Sequence, residues 1–494
     1  MLNLAIIVPN NRCPGWITEL AERLRSVPKT RVTLIPVGGR IQISLAARIY
    51  LKLVNKLMPG HRGLLAEGPS SNSEPVSGPI DILLDPGFCP DEVLQQWKPA
   101  VSYRLMIGTS GALHPLAGLH EWVNGFPVTN ARLVNTVNGE IIASGCTRTF
   151  LTSYPKHLSR VLCMAINLVR DQFKKRDQPI QPTPANQSVT TNQDTMVLKA
   201  FLITFTRSFN KLLRQLLRDD RWLLKTGDER SWNEKGSSGL RYLESPANTF
   251  WADPFMVKQD GKTYLFVEDC PVETGKGHLS CIVLDKDGKQ ELAGKILDKP
   301  YHLSYPNVFR FNDRWYMIPE SSANLTIDLY ECVEFPFNWR HVRSLLSGIR
   351  AFDSTLLWKD GKVWLFCTVC RHEAASPDDD LCIFYSEDLL HGTFIPHRLN
   401  PVKSDPYSAR PAGAFQCSGE TIIRPAQIGV PLYGHALAFN QVLELSETAF
   451  NEVTLNNTYP GTGELAVHTL NRAEGEVVID AIADRPASWL RFFS

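Results

Sequence analysis

The sequence predicts two domains of different class: an α/β domain of the Rossmann type, then an all-β propeller of five blades. Three observations carry this reading. Apolar strand patterns alternate with helical ones over the first third of the chain, which argues an open parallel sheet. A stretch at 176–195, rich in Gln, Pro, Thr and Asn, has almost no apolar content and reads as a flexible linker. Beyond it a strand–turn–strand motif recurs every 48 to 58 residues, room for the four short strands of a propeller blade.

Length and composition agree with more than one core. The 494 residues are 43% hydrophobic and 21% charged, an ordinary globular balance. Lys plus Arg number 52 against 51 Asp plus Glu. A net charge of +1 supplies no overall basic field, so nucleic acid is not expected as a partner. The 11 Trp suit a β-rich region or a sugar-stacking surface. The 11 Cys are scattered, and Cys367-Thr-Val-Cys370 is the one close pair. It lies in an apolar strand-like run and reads as buried thiols, with no metal site expected.

In the first domain (1–175), Leu4–Val8 and Val32–Val37 are strands flanking a helix over Trp16–Arg25, where Leu20, Ala21 and Leu24 recur at helical spacing. The start, Met1 to Pro9, lacks the basic opening of a secretory signal and reads as a buried strand. Ile80–Leu84 is a third strand, stopped by Asp85-Pro86-Gly87. Residues 66–80 form a polar loop, and Leu158–Lys174 closes the domain as an amphipathic helix.

After the linker, 196–226 reads as a basic amphipathic helix. Phe201, Phe205, Phe209, Leu212, Leu213 and Leu216 form its apolar face; Lys199, Arg207, Lys211, Arg214, Arg218, Arg221 and Lys225 form the other. The first reading is a brace packed on the next domain. The second is a membrane-surface helix, giving peripheral membrane contact through 197–224. No apolar run reaches the ~18 residues of a spanning helix. Met196–Phe205 is the best and Lys199 interrupts it. A cytoplasmic protein is expected, with any membrane contact peripheral to the inner membrane face.

The propeller region (227–494) repeats a unit four times. Asp253-Pro-Phe-Met-Val precedes Gly261-Lys-Thr-Tyr-Leu-Phe-Val-Glu268, and Tyr305-Pro-Asn-Val-Phe precedes Asp313-Arg-Trp-Tyr-Met-Ile-Pro-Glu320. Asp353-Ser-Thr-Leu-Leu precedes Gly361-Lys-Val-Trp-Leu-Phe-Cys-Thr368, and Pro411-Ala-Gly-Ala-Phe precedes Gly419-Glu-Thr-Ile422. A fifth unit runs from Tyr433 to Asp480, with Phe250–Glu268 expected to close the ring. A two-sheet sandwich is the structural rival. Unit-initial residues begin innermost strands, so Asp253, Tyr305, Asp353 and Arg410 should crowd the axis, with Asp253 and Asp353 facing across a funnel. Carboxylates there can bind hydroxyls or do acid/base work, and the rings of Trp251, Tyr305 and Trp315 can stack on a sugar. Asp253, Asp353 and Glu320 are the candidate catalytic residues; Trp251, Glu268, Tyr305, Arg410, Gln427 and His468 are the candidate binding residues.

These segments, with Arg410-Pro-Ala-Gly, Arg424-Pro-Ala-Gln427 and Tyr433-Gly, resemble the N-terminal propeller-like region of plant glucosamine inositolphosphorylceramide transferases and related bacterial proteins. The resemblance covers about 222–485 and leaves the plant proteins' separate glycosyltransferase domain without a counterpart. More distantly, the region is similar to five-bladed propeller glycoside hydrolases that include arabinanases and invertases. That likeness implies Asp253 and Asp353 as base or nucleophile and transition-state stabiliser. Where those hydrolases carry a general-acid Glu in blade four, this chain has Arg410, which suits an anionic group such as phosphate or carboxylate. Glu320 or Glu268 would have to supply the proton.

The first domain resembles a degenerate formyltransferase, in which Ser102, Arg104 and Glu140 stand where that fold has Asn, His and Asp. Arg104 stays protonated and cannot take the acid/base role. His114 or His120 would have to compensate. No cofactor is therefore expected, folate included. The functional expectation is a carbohydrate-active protein of glycan or glycolipid assembly or modification, leaning towards an enzyme of glycosyl-group chemistry. Its partner would be a sugar, sugar nucleotide or glycolipid. The alternatives are a non-catalytic glycan-binding scaffold and a formyl or acyl transferase acting on an amino sugar.

Overall fold

A computed structural model describes residues 1–9, 13–37, 44–57, 62–65, 78–87, 89, 94, 96–109, 116–174, 193–219 and 221–486. The chain divides into two compact units, 1–213 with 372–376, and 214–371 with 377–494.

The first unit is built on a six-stranded sheet of β1 (Leu2–Pro9), β2 (Thr30–Val37), β3 (Ile82–Asp85), β4 (Val101–Ile107), β5 (Val128–Asn135) and β6 (Ile141–Arg148), in the order β2-β1-β3-β4-β5-β6. β1 to β4 are parallel; β5 and β6 add an antiparallel hairpin. The apolar runs of β1 and β3 are buried on both faces, as parallel strands between helices require. Helix Gly15–Arg25 buries Trp16, Ile17, Leu20, Ala21 and Leu24, a row at three- and four-residue spacing. Helix Tyr154–Lys174 packs Leu158, Val161, Leu162, Ala165, Ile166 and Val169 into the same core. The unit is α/β, but its sheet is mixed where an open parallel one is expected, because the β5–β6 hairpin runs antiparallel to β4. The polar loop at 66–80 lies almost wholly outside the described residues, as does the linker apart from 193–195.

Helix Gln193–Leu217 is shorter than the 196–226 reading at its C-terminal end. The chain leaves it at Arg218–Asp219, which pairs with Arg485–Pro486, and Trp222–Asp228 is a strand. Strand pairing with the last blade overrides a helical periodicity that ran on through the basic residues. Among the described residues, no helix is long and apolar enough to cross a membrane.

The second unit is a five-bladed propeller. Blade one holds Thr249–Gln259, Lys262–Pro271, His278–Leu284 and Gln290–Leu297; blade two, Ser304–Phe311, Arg314–Ser321, Thr326–Glu334 and Asn338–Ser347. Blade three holds Ala351–Lys359, Lys362–Val369, Asp380–Ser386 and Ile395–Pro396, with Lys403–Ser404 also on its third strand. Blade four holds Gln416–Ser418, Thr421–Ile428, Ala436–Leu445 and Phe450–Thr458. Blade five joins Glu464–Ala473 and Glu476–Ala483 to Trp222–Asp228 and Arg241–Leu243. The ring is thus closed by strands N-terminal to blade one, and Phe250–Glu268 stays within blade one.

The first hairpins turn on Asp260-Gly261, Asn312-Asp313, Asp360-Gly361 and Glu474-Gly475, all with positive φ. Two consecutive left-handed residues match the strand twist in a two-residue loop, and Asn, Asp and Gly tolerate that conformation best. In blade three Cys367 faces Cys382 in register, and burial pushes its thiol pKa up, leaving a neutral apolar group.

Candidate active site

In four blades the innermost hairpin slips register at one place: between Ala252 and Phe255, Ser304 and Asn307, Phe352 and Thr355, and Val467 and Leu470. Each bulge frees a residue from the pleat: Asp253, Tyr305, Asp353 and His468. The first three hold φ of 51°, 44° and 53°. Three non-glycine residues in this strained region at equivalent positions mark a site that the surrounding ring over-determines. In blade four the place falls to Arg410, whose carbonyl accepts from Gln427 N and whose neighbour Pro411 bridges Ala426.

Hydrogen bonds stitch the five positions together. Asp480 Oδ2 accepts from Asp253 N at 2.8 Å, and Asp253 Oδ2 accepts from Tyr305 N at 3.2 Å. The Tyr305 hydroxyl meets Thr355 Oγ1 at 2.8 Å and accepts from Gly413 N at 2.7 Å. Arg410 grips Asp353 through Nε (2.6 Å) and Nη2 (3.2 Å) and donates from Nη1 to Asp378 Oδ1 at 3.1 Å. Gln427 Nε2 donates to Asp353 Oδ2 at 2.8 Å.

Above this ring lies a cavity of about 240 Å³ lined by Trp222, Phe250, Asp253, Glu268, His302, Ser304, Glu320, Phe352, Arg410, Tyr433 and His468. The structure brings Asp253, Glu268, Glu320, Arg410 and His468 to its wall and places five other expected residues elsewhere. Asp353 is covered by Arg410 and does not face Asp253 across the funnel. Gln427 stands behind Asp353. Tyr305 shares the bulge position of Asp253, but its longer side chain bonds Thr355 and Gly413 and is wholly buried. Trp251 packs into an apolar core with Leu224, Leu265 and Val478. Trp315 lies tilted against Phe335 near the blade-two turn and donates to Gln259.

Sequence reasoning missed the aromatic wall. Trp222 stacks on His468 with centroids 3.9 Å apart, and Tyr433 stands edge-on to that imidazole at 5.4 Å. Tyr433 and Phe352 also lie over the Arg410 guanidinium at 5.1 and 5.3 Å. Trp222 falls inside the 196–226 segment whose pattern reads as a helix. Tyr433-Gly434 was the available signal, since Gly434 has φ +61° and a Cβ there would fall 2.7 Å from His468 Cβ.

The carboxylates differ in protonation. Burial, and next the Asp353 carboxylate, push Glu320 up to about 8, against the opposing pull of Arg410 and of a Ser322 hydroxyl bond at 2.8 Å. Burial and the charges of Asp253 and Glu320 raise Glu268 well above the usual range. Burial raises Asp253 to about 6, with His468 pulling the other way. For His468 burial favours the neutral ring, but Asp480 and Asp253 together outweigh it and raise the pKa. Its Nδ1 is 2.7 Å from Asp480 Oδ2 but off the line of a hydrogen bond, an ion-pair contact only. Asp253, His468 and Asp480 bring ligand atoms within 4.8 Å of one another. Asp480 is, however, already accepting from the backbone amides of Asp253, His468 and Thr469.

Arg410, expected to receive an anion, is instead neutralised by Asp353 and Asp378, with Glu320 Oε2 3.7 Å away. The cavity is therefore rich in carboxylate. Burial thus holds Glu320 protonated to a higher pH than Asp253 in the same enclosure.

In the first unit Arg104 Nε pairs with Asp85 Oδ2 at 2.7 Å and Nη2 donates to the Cys89 carbonyl. Ser102 bonds Thr136, and Glu140 is exposed in the β5–β6 turn, accepting from Asn138. His114 lies outside the described residues; His120 bonds the Thr109 hydroxyl, which donates to buried Glu121. Arg104 thus braces the Asp85 turn, while Ser102 and Glu140 both belong to the contacts of the β5–β6 turn.

Fold and site define a five-bladed propeller with an acidic axial cavity. The family model described as glucosamine inositolphosphorylceramide transferase 1, N-terminal, matches residues 241–464. Glucosamine inositolphosphorylceramide transferase 1 of Oryza sativa subsp. japonica is 32% identical over 214 residues, 43% of this chain and 28% of the relative. Its Arabidopsis thaliana namesake is 34% identical over 212 residues, 42% and 27% of the two chains. The chain thus spans less than a third of the length of these relatives. Among solved structures it is similar to Zg3597, a family 117 glycoside hydrolase of Zobellia galactanivorans (TM-score 0.36, 10% identity, 54% of this chain and 92% of that one). It is also similar to an exo-1,5-alpha-L-arabinanase from a bovine ruminal metagenomic library (TM-score 0.34, 11% identity, 50% and 94%).

Proposed function

We propose that the propeller binds a sugar residue of a glycan or glycolipid in the axial cavity and acts on its glycosidic linkage. One observation carries this: Glu320 and Asp253 share one cavity, with pKa values near 8 and 6. Between those values Glu320 is a proton donor to a leaving oxygen, and Asp253 is the base or nucleophile. Asp353 acts as a positioning residue through Arg410. Trp222, Tyr433 and Phe352 offer ring faces to a pyranose. The excess of carboxylates suits a neutral or amine-bearing sugar better than an anionic one. The printed name of the plant relatives, glucosamine inositolphosphorylceramide transferase, agrees with a glycolipid substrate.

A second reading, a glycan-binding scaffold without turnover, is favoured by one feature. The blade-four position, where the resemblance to propeller hydrolases implies a general acid, is Arg410 locked to Asp353 and Asp378. Formyl or acyl transfer is not part of the proposal, because Arg104 is committed to Asp85 and supplies no titrating group.

The test is turnover of nitrophenyl glycosides of neutral and amino sugars by the full chain across pH. Release with a bell-shaped profile rising near 6 and falling near 8, cut by about a hundredfold or more in Glu320→Gln and in Asp253→Asn, is expected. Saturable binding with no release would leave the scaffold reading.

A further inference from the structure

The structure leaves an apolar face of the helix Gln193–Leu217 uncovered. Val197 and Ala200 are buried, whereas Leu198, Leu202, Phe205, Phe209 and Leu212 are exposed, Phe205 to 75%. At 100° per residue these five fall within an arc of about 80° on one side of the helix. The helix Leu45–Leu57 repeats the pattern, with Ala47, Tyr50 and Val54 inward and Leu45, Ile49 and Leu53 exposed. The two helices touch: Tyr50 packs edge-on against Phe201 with centroids 4.8 Å apart, and its hydroxyl meets Thr204 Oγ1 at 3.2 Å.

The charge on these helices has one sign. They carry seven Lys or Arg and a single acid, Asp194. Arg207 is turned inward, donating to the Trp122 carbonyl at 2.7 Å and lying over the Trp122 ring. Arg48, Lys52, Lys56, Lys199 and Lys211 are exposed. A second copy docked on this face would set cations against cations. An anionic bilayer supplies both missing partners, lipid tails for the apolar row and headgroup charge for the flanking bases.

We propose that the helices Gln193–Leu217 and Leu45–Leu57 form an interfacial docking surface for an anionic lipid bilayer, independent of the chemistry in the propeller. Their apolar rows enter the headgroup–acyl boundary, and the basic residues sit among the headgroups.

The experiment is co-sedimentation of the full chain with phosphatidylcholine vesicles, with and without phosphatidylglycerol. Binding to the anionic vesicles is expected to exceed that to neutral ones at least about tenfold, and to weaken strongly between about 0.1 and 0.5 M NaCl. Phe205→Glu/Phe209→Glu should lose at least about tenfold in binding with an unchanged melting transition. Leu45→Glu/Ile49→Glu tests the second row and stands in should the first pair fail to fold. No binding to anionic vesicles, equal binding to neutral ones, or undiminished binding by both variants overturns the proposal. So does a dimer in sedimentation velocity that the variants dissociate while native chain ignores vesicles, which would assign the face to a second copy.

Discussion

Arg410→Leu is the sharpest perturbation of the site. The guanidinium is 7% exposed and neutralises Asp353 through two contacts (2.6 and 3.2 Å) and Asp378 through one (3.1 Å), with Glu320 at 3.7 Å. Leucine keeps part of the volume but leaves buried carboxylates without a counter-ion, a change that costs about 3–5 kcal/mol in comparable buried pairs. Adding Asp353→Leu removes the carboxylate most dependent on Arg410. The double variant should therefore be more stable than the sum of the two single losses by at least about 1 kcal/mol. Urea unfolding followed by tryptophan fluorescence reads this directly, since seven of the 11 Trp lie between residues 222 and 364 in the propeller unit. A loss below about 0.5 kcal/mol for Arg410→Leu, or strict additivity in the double variant, would refute the claim that this arginine holds the ring of acids together.

Two further outcomes follow from the same geometry. Because the folded-state pKa of Glu320 is raised to about 8 from an ordinary 4.5, the unfolded chain ionises first as pH rises. Stability attributable to this group is present below about 4.5 and is lost as pH climbs towards 8, at up to about 1.4 kcal/mol per pH unit. Glu320→Gln should flatten that part of the curve, and an unchanged slope in pH-dependent urea melts would contradict the assignment. Gly434→Ala combines a left-handed φ of +61° with a Cβ 2.7 Å from His468 and 3.0 Å from Trp222. It should lower propeller stability by about 1–3 kcal/mol and alter the Trp222 emission; a silent substitution would mean that the aromatic wall yields freely.

The blade repeat was legible because each unit restates one local problem: a tight turn eight residues after the start of an inner strand. The bulge positions Asp253, Tyr305 and Asp353 followed from it, and His468 is the fifth of the set. What the repeat does not encode is which of these side chains reaches the cavity. Tyr305 is long enough to span to blades three and four and becomes a strut. Asp353 is short enough to be roofed by Arg410, a contact between residues 57 apart in sequence. Trp251 lies two residues before Asp253, where strand alternation would keep both on one face, but the register slip after Ala252 separates them and Trp251 enters the apolar layer between blades one and five. Trp222 was hidden for a different reason. Its strand is held by pairing with Ile482, so the helical periodicity of the residues before it concealed a tertiary contact of high sequence separation. In the first unit the strand–helix alternation points to an open parallel sheet, which holds for β1 to β4 but not for the antiparallel β5–β6 hairpin, and Arg104 could not be seen to be spent on Asp85 until the parallel register of β3 and β4 set them side by side.

The central claim is that a sugar occupies the axial cavity. A thermal-shift titration of the full chain with neutral and amino monosaccharides tests it most directly. A ligand at a hundredfold excess over its Kd adds about 2.7 kcal/mol to the native state. The account predicts a saturable upward shift of the propeller transition with at least one of them, abolished in Tyr433→Ala and in Glu320→Ala. No shift with any sugar would contradict it, provided that Arg410→Leu moves the same transition; so would a shift that both cavity variants retain.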